Sequence, residues 1–367
     1  MIYDKILKNE ENAVFTLRSL YKQYGYLPFK MSKFEEYDLY VRNKDFLIGD
    51  SVITFNDTNG RLLALKPDVT LSIIKNTVDE PGVKHKVYYD ENVYRVSAKT
   101  HQFKEIMQTG IECIGDIDIT DVFEVVYLAA KSLDSVSSEF VLDLSHMGLF
   151  SAFLDEVSEN KLVRRELTKL ISEKNKHESR ALCVREGINE RGAKIVEMLT
   201  DLYGSPIDVL DEISSMCITD EERVAYKELS LISDLMSKTE YADRIRIDFS
   251  VVNDMRYYDG VVFKGFLSGI YEYVLSGGKY DPLMRRMGRS SSAIGFALYV
   301  DLLESLDKSS KEYDVDFLLI YSEKTKAETV IEAKAQLIAE GKSVCANRTV
   351  PEKIRYKEII DLDREEV

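Results

Sequence analysis

The sequence predicts an α+β fold, an antiparallel sheet flanked by helices, and three observations predict it. Strand-like runs fall in two blocks rather than alternating one-for-one with helices, which argues against a parallel α/β sheet. A hairpin signal, SVITF–DTNG–RLLAL, stands early in the chain, with Asn59-Gly60 supplying the positive φ that a tight turn needs. Between the two blocks, residues from about 150 to 243 are helical in pattern, charged and poor in strand signals, as expected of a helical insertion. The chain has 367 residues, 45% of them hydrophobic, enough for a sizeable core and, at roughly 150 residues per domain, for two domains or one large domain with an appendage.

Each element follows from local pattern. Val14, Leu17, Tyr21 and Tyr24 recur at helical spacing, and Gly25 is placed to end that helix. Leu27, Phe29 and Met31 alternate as in a strand. After the hairpin, Pro67 is expected at the first position of a helix, KPDVTLSIIKN. HKVYYDENVYRV and EIMQTGIECIG are rich in β-branched and aromatic residues, and a short polar stretch, SAKTHQF, joins them as an antiparallel pair. DVFEVVYLAAKSL is a helix with Val122, Val125, Val126 and Ala129 on one face, and FVLDL is a short buried strand. Beyond the insertion, RIRIDFS, MRYYDGVVFKGFLSG and YEYVLSGG read as strands, and AIGFALYVDLLESL reads as a helix. KSSKEY is a polar linker. The remaining segment carries VDFLLIY (strand), AETVIEAKAQLIAEG (helix) and KSVCA (strand), a small α/β unit. The domain division is therefore 1–310 and 311–367.

Composition excludes several function classes. Lys+Arg is 49 and Asp+Glu is 64, a net charge of −15, which opposes a phosphate-dominated partner such as nucleic acid. The N-terminal stretch MIYDKILKNEENAV lacks a basic region followed by an apolar one, so no secretory leader is expected. No apolar run is long enough to span a bilayer. Cys113, Cys183, Cys217 and Cys345 are far apart, without metal or disulfide spacing, and read as buried thiols of a reducing, cytoplasmic compartment. His85, His101, His146 and His177 are scattered, so no metal site and no cofactor is expected.

One strand carries chemistry. In EIMQTGIECIG the period of two places Gln108, Gly110 and Glu112 on one face. Gly110 leaves a gap there, flanked by two polar side chains, a shape suited to a small polar ligand; an edge face with a bulge at Gly110 is the plainer alternative. Arg95 ends the partner strand. Asp68 and Thr70 follow Pro67, where a carboxylate is favoured by a helix dipole in any case. Tyr257 and Tyr258 precede Gly260, and in a regular strand only one of them would face the ligand side. SGGKYD adds a glycine pair that permits close backbone approach.

These segments together resemble the histidyl-tRNA synthetases. LALKPDVT is similar to their LRPEGT-type motif, ENVYR with QTGIECIG to their second class II motif and the strand after it, MRYYDGVVF to their histidine-binding segment, and SGGKYDPLM with SSAIGFAL to their third motif region. The likeness runs in the family's order from about residue 5 to 310. It implies a class II synthetase-like fold with a helical insertion and a C-terminal unit shorter than the family's anticodon-binding domain. It also implies histidine binding by Asp68, Thr70, Arg95, Gln108, Glu112, Tyr257 and Tyr258. Departures fall on the nucleotide side. Asn253 stands where active enzymes have an arginine, Arg256 where they have Asp, Ser97 where they have a glutamate that contacts ATP, and Leu302 where the third motif has its arginine. Ser32 replaces the first motif's proline. Arginines at transferring phosphates are worth about 10³–10⁵ in rate, so a site without two of three is expected to have lost nucleotide chemistry.

The branch with this pattern is the regulatory subunit of ATP phosphoribosyltransferase, and the resemblance implies a non-catalytic role. Its expected partners are the short catalytic subunit, in the first step of histidine biosynthesis, and histidine as feedback inhibitor. A homodimer within a hetero-oligomer follows, with the first motif, around GYLPFKMSKFEEY, at the dimer interface. The alternative is a divergent histidyl-tRNA synthetase or amino-acid-adenylating ligase, which Asn253 and Leu302 oppose; a scaffold with a vestigial pocket is a third reading.

Overall fold

The computed structural model describes residues 8–43, 52–96, 100–251, 257–306 and 313–363. The chain divides into two compact units, Met1–Leu306 and Asp307–Val367. The first begins with α1 (Asn9–Gln23), β1 (Leu27–Pro28), β2 (Phe34–Glu36), α2 (Tyr37–Arg42), β3 (Thr54–Asn56), β4 (Leu62–Leu65), α3 (Thr70–Asn76), β5 (Lys84–Val96) and β6 (Phe103–Gly115). It continues with α4 (Ile119–Val136) and β7 (Phe140–His146). The helical stretch follows as α5 (Met147–Val157), α6 (Lys161–Ser172), α7 (Lys176–Arg185), α8 (Glu190–Asp201), β8 (Tyr203–Gly204), α9 (Pro206–Met216) and α10 (Asp220–Ser237). It closes with β9 (Ile245–Asp248), β10 (Val261–Leu267), β11 (Leu275–Lys279), α11 (Asp281–Arg286), β12 (Ser292–Tyr299) and a 3₁₀ segment, Val300–Leu306. The second unit holds β13 (Val315–Ile320), α12 (Ala327–Ala339), β14 (Val344–Asn347) and β15 (Tyr356–Asp361).

Nine strands form the main sheet in the order β1-β5-β6-β12-β11-β10-β7-β9-β8. All neighbours are antiparallel except β1–β5 and β7–β9. On one face, α1 and α4 bury Leu17, Tyr21, Val125, Ala129 and Leu133 against Ile111, Cys113, Leu144, Phe263 and Phe296, and the same core runs on into the insertion through Phe150, Phe153, Ile195 and Leu229. α4 is held at its start by a capping box. Asp118 accepts from the Thr120 amide at 2.7 Å, and Asp121 accepts from the Asp118 amide at 3.0 Å. The opposite face carries a smaller core of Tyr40, Val69, Leu71, Tyr89, Ile114, Tyr280 and Leu283. The site lies on this second face.

The hairpin, the β5–β6 pair, α4, β7 and the insertion agree with the sequence reading. Several expectations change. AIGFALYVDLLESL is not a helix: Ser292–Tyr299 is a strand inserted between β6 and β11, and only the following turn is helical, in 3₁₀ form. Burial on both faces removed the alternation that would have marked a strand. The helix after Pro67 starts at Thr70, so Pro67 is not its first residue. The Leu27–Met31 stretch contributes only the two-residue β1. Two cysteines, Cys217 and Cys345, are half-buried rather than buried, and all four are free thiols. The small unit also gains a strand, β15, so that β14-β13-β15 form a parallel sheet. Asn253, Arg256 and Ser97 lie outside the described residues, as does most of the KSSKEY linker.

Candidate functional site

The site is built on a floor of small residues. Register places Gly110 opposite Tyr89 on one side and Ala297 on the other, and Glu112 opposite Val87 and Gly295. Both glycines are required by what lies over them. A Cβ at Gly295 would stand 1.8 Å from Glu112 Oε2, and one at Gly110 would stand 2.6 Å from the Tyr89 hydroxyl. The sequence-level gap at Gly110 is thus filled by the neighbouring tyrosine, while the floor is extended by a glycine on β12.

Glu112 is 2% exposed and is the focus of the site. Its Oε1 accepts from the Thr70 hydroxyl at 2.8 Å and its Oε2 from the Tyr280 hydroxyl at 2.6 Å. Asp68 stands just before α3, its Oδ1 accepting from the Leu71 amide at 2.9 Å. Two buried carboxylates therefore share one site. Burial pushes the Glu112 carboxyl up to about 8; the bonds from Tyr280 and Thr70 partly offset this, and Asp68 adds to it. Burial likewise raises Asp68, opposed by the Leu71 amide and by Arg95.

Tyr257 and Tyr258 precede β10 in a turn rather than lying within a strand, so the one-in, one-out rule does not apply to them. Their rings pack at 4.5 Å between centroids, Tyr257 stands 5.8 Å from Tyr280, and Thr70 is within hydrogen-bonding reach of the Tyr257 hydroxyl. Tyr258 lies over Gly278, whose Cβ would stand 2.8 Å from its Cδ1. Gln108 is 3% exposed and pairs with Tyr299. Arg95 donates from Nε to the Pro67 carbonyl at 3.0 Å and reaches the Tyr299 hydroxyl. All seven residues named from sequence thus belong to this face of the sheet. Thr70 joins α3 to β6 through its bond to Glu112.

Two participants were not singled out in sequence. Tyr280 follows the Gly277-Gly278 pair and turns its hydroxyl onto Glu112; the motif SGGKYD contains it, but only its glycines carried an argument. Tyr89 is masked by its place in an aromatic-rich strand. Leu302, at the position where a phosphate-binding arginine was expected, packs against the first core as a partly buried apolar side chain. Among the described residues, no group of three or more His, Cys, Asp or Glu is arranged to hold a metal. The arrangement has the acceptors to take a small cationic group. A buried carboxylate is costly unless paired, and an ammonium or imidazolium supplies the charge that Glu112 and Asp68 lack.

The model of the family described as histidyl-tRNA synthetase matches residues 3–303. The chain belongs to the histidyl-tRNA synthetase family. A relative in Oceanobacillus iheyensis, named ATP phosphoribosyltransferase regulatory subunit, is 25% identical over 358 residues, covering 96% of this chain and 88% of that protein. Among solved structures, an ATP phosphoribosyltransferase regulatory subunit/histidyl-tRNA synthetase from Bacillus halodurans C superposes with a TM-score of 0.77 at 24% identity, covering 96% of this chain and 93% of the other. A chain of the ATP phosphoribosyl transferase (HisG:HisZ) complex from Thermotoga maritima superposes with a TM-score of 0.61 at 20% identity, covering 78% and 96%. These likenesses establish the class II synthetase-like fold of this family member, and the four motif regions read from sequence are the ones that line its site.

Proposed function

We propose that this family member is a non-catalytic regulatory subunit of ATP phosphoribosyltransferase, that it activates a short catalytic subunit, and that it senses histidine for feedback inhibition. The observation that carries the reading is the asymmetry of the site. Its cation-binding half is complete, with Glu112 held by Thr70 and Tyr280 beside Asp68 and walled by Tyr257 and Tyr258. At Leu302, where a nucleotide-binding member would place a cation, the side chain is apolar and packed inward. The name of the Oceanobacillus relative and the composition of the Thermotoga complex support a regulatory role and a catalytic-subunit partner.

Histidine fits the chemistry of the pocket. Asp68, Thr70 and Gln108 take the ammonium, Arg95 takes the carboxylate, and Glu112 with a tyrosine takes the imidazole, fixing its tautomer. A homodimer is part of the proposal. Phe34 and Phe55 pack edge-to-face at 5.3 Å on the β2-β4-β3 sheet and both are exposed, an apolar surface that includes Phe34 of the segment expected at the interface. The protein acts in the cytoplasm, with no nucleic-acid partner. Among the described residues, no helix is long and apolar enough to cross a membrane.

The test pairs two assays. Calorimetry is expected to show histidine binding to the chain, and ATP–pyrophosphate exchange with histidine is expected to stay at background. Exchange clearly above background would establish an adenylating ligase instead.

A further inference from the structure

The turn that carries Tyr257 and Tyr258 is clasped by the first helix of the insertion. The Met147 amide, at the first residue of α5, donates to the Gly260 carbonyl at 2.8 Å. The Asp259 carbonyl lies against Gly148, 2.9 Å from where a Cβ would stand, so a larger residue there would have to move the turn. On its other side the turn is held by β11, the Asp259 amide donating to the Lys279 carbonyl at 3.3 Å. The two rings that wall the site are thus carried on backbone whose place is set by the start of α5.

The start of α5 is set in turn by His146. This side chain is 4% exposed and caps the helix, its Nδ1 accepting from the Leu149 amide at 3.2 Å. Histidine is not among the residues favoured at a helix N-cap, where Asn, Asp and Ser lead, so capping alone does not account for it. Because Nδ1 accepts, the ring proton sits on Nε2. Nε2 faces Glu228 Oε2 of α10 at 3.6 Å, and it has no hydrogen-bond partner among the described residues. That separation is a few tenths of an ångström beyond a made hydrogen bond. The ring nonetheless holds the Glu228 carboxyl below its usual range, against burial, and Lys279 adds less. The other charges at this end are paired, Lys279 with Asp281 at 2.8 Å and Arg285 with Asp259 at 3.0 Å. α10 and α5 share one core, through Leu229 and Ile232 on one helix and Phe150 and Phe153 on the other. A small shift of α10 therefore makes or breaks the His146–Glu228 contact, and Met147 and Gly148 pass it to Gly260 and Asp259.

We propose that His146 and Glu228 are positioning residues for histidine binding: their contact ties α10 of the insertion to the start of α5, and so sets how firmly Tyr257 and Tyr258 are held against the ligand. The helical insertion is then part of the sensor and not only its neighbour. The proposal rests on the histidine reading of the Glu112 pocket.

The experiment is calorimetric titration of histidine into the full chain, wild type and variants, each with its melting temperature. His146→Asn keeps a good cap on α5 but is too short to reach Glu228. Its melting temperature is expected to stay near that of the wild type while histidine affinity falls about two- to thirtyfold, the range of coupling between linked positions. If capping were the whole role of His146, affinity would be unchanged. Glu228→Ala, at a half-exposed position outside the pocket, is expected to weaken binding by a similar factor. Glu228→Gln keeps an acceptor for Nε2–H and is expected to recover most of the loss. The double variant His146→Asn/Glu228→Ala is expected to bind no more weakly than the weaker single one, because both break the same contact. The proposal is overturned if folded His146→Asn and Glu228→Ala bind histidine as the wild type does, or if their losses multiply in the double variant. Those results leave the histidine reading intact, whereas a wild-type chain that binds no histidine removes both.

Discussion

Glu112 shows how one residue sets both affinity and pH response. Its carboxyl lies at about 8 in the folded chain against 4.5 for the exposed group, because burial dominates the two hydrogen bonds from Tyr280 and Thr70. A carboxyl raised on folding keeps its proton in a window where the unfolded chain has lost it, so this group erodes stability as pH rises from about 4.5 to about 8. Glu112→Gln should therefore gain in melting temperature relative to the wild type between pH 5 and pH 8; a constant difference across that range would show that the proton is not held. The imidazole of histidine is mostly neutral near pH 7, so Glu112 should pass its proton to the ring on binding with little net release, whereas at pH 5, where the free imidazole arrives protonated, pairing with an ionised Glu112 should release one. Calorimetry in buffers of different ionisation enthalpy reads the difference between the two pH values, and the Gln variant should lose it. For histidine itself, Glu112→Ala or Asp68→Ala should weaken binding about ten- to a hundredfold, the range of one charged hydrogen bond. Gln108 and Glu112 stood out in the sequence because a polar pair around a glycine is unusual in such a strand, whereas Asp68 and Thr70 were indicated only by the family resemblance. Tyr280 did not stand out, because a single tyrosine beside a glycine pair reads as ordinary packing until the sheet brings it to Glu112.

Among the elements, β12 is the most instructive. Its segment AIGFAL was expected to be helical, and nothing local forbids that. The strand form is imposed by its neighbours, since Gly295 is the position on β12 that lets the Glu112 carboxylate lie flat on the sheet. Gly295→Ala should therefore destabilise the chain by about 1–3 kcal/mol, the usual penalty of forcing an extra carbon into a packed region. It should also weaken ligand binding by displacing Glu112. An unchanged denaturation midpoint together with unchanged affinity would remove Gly295 from the account. The Tyr257-Tyr258 pair illustrates the opposite case. A strand reading would have discarded one ring, but the turn before β10 lets both face the site, and a turn is harder to read than a strand when its residues are aromatic. By contrast, β5 and β6 were plain from sequence, because thirteen-residue β-branched and aromatic runs joined by a short polar link leave few other pairings.

For the whole molecule, the strand order is the part least visible in local pattern. The insertion of β12 and β11 between β6 and β10 joins segments more than 150 residues apart, and it is this crossing that assembles Asp68, Glu112 and Tyr280. Only ordered motifs across the chain carried that information. In the second unit, β15 was missed because Lys357 and Glu358 interrupt its apolar pattern. The exposed Phe34–Phe55 surface leads to an expected dimer, so light scattering of the isolated chain should give about twice its mass of 42.1 kDa, and Phe34→Glu should shift it toward monomer. The central claim concerns a partner. The measurement that tests it most directly is phosphoribosyl transfer by the short catalytic subunit of the same organism, assayed alone, with this chain, and with this chain plus histidine. Activity is expected to rise when the chain is added, to fall again with histidine, and to become less sensitive to histidine in Glu112→Ala while still rising on addition of that variant. A catalytic subunit whose rate is the same with and without the chain would contradict that claim.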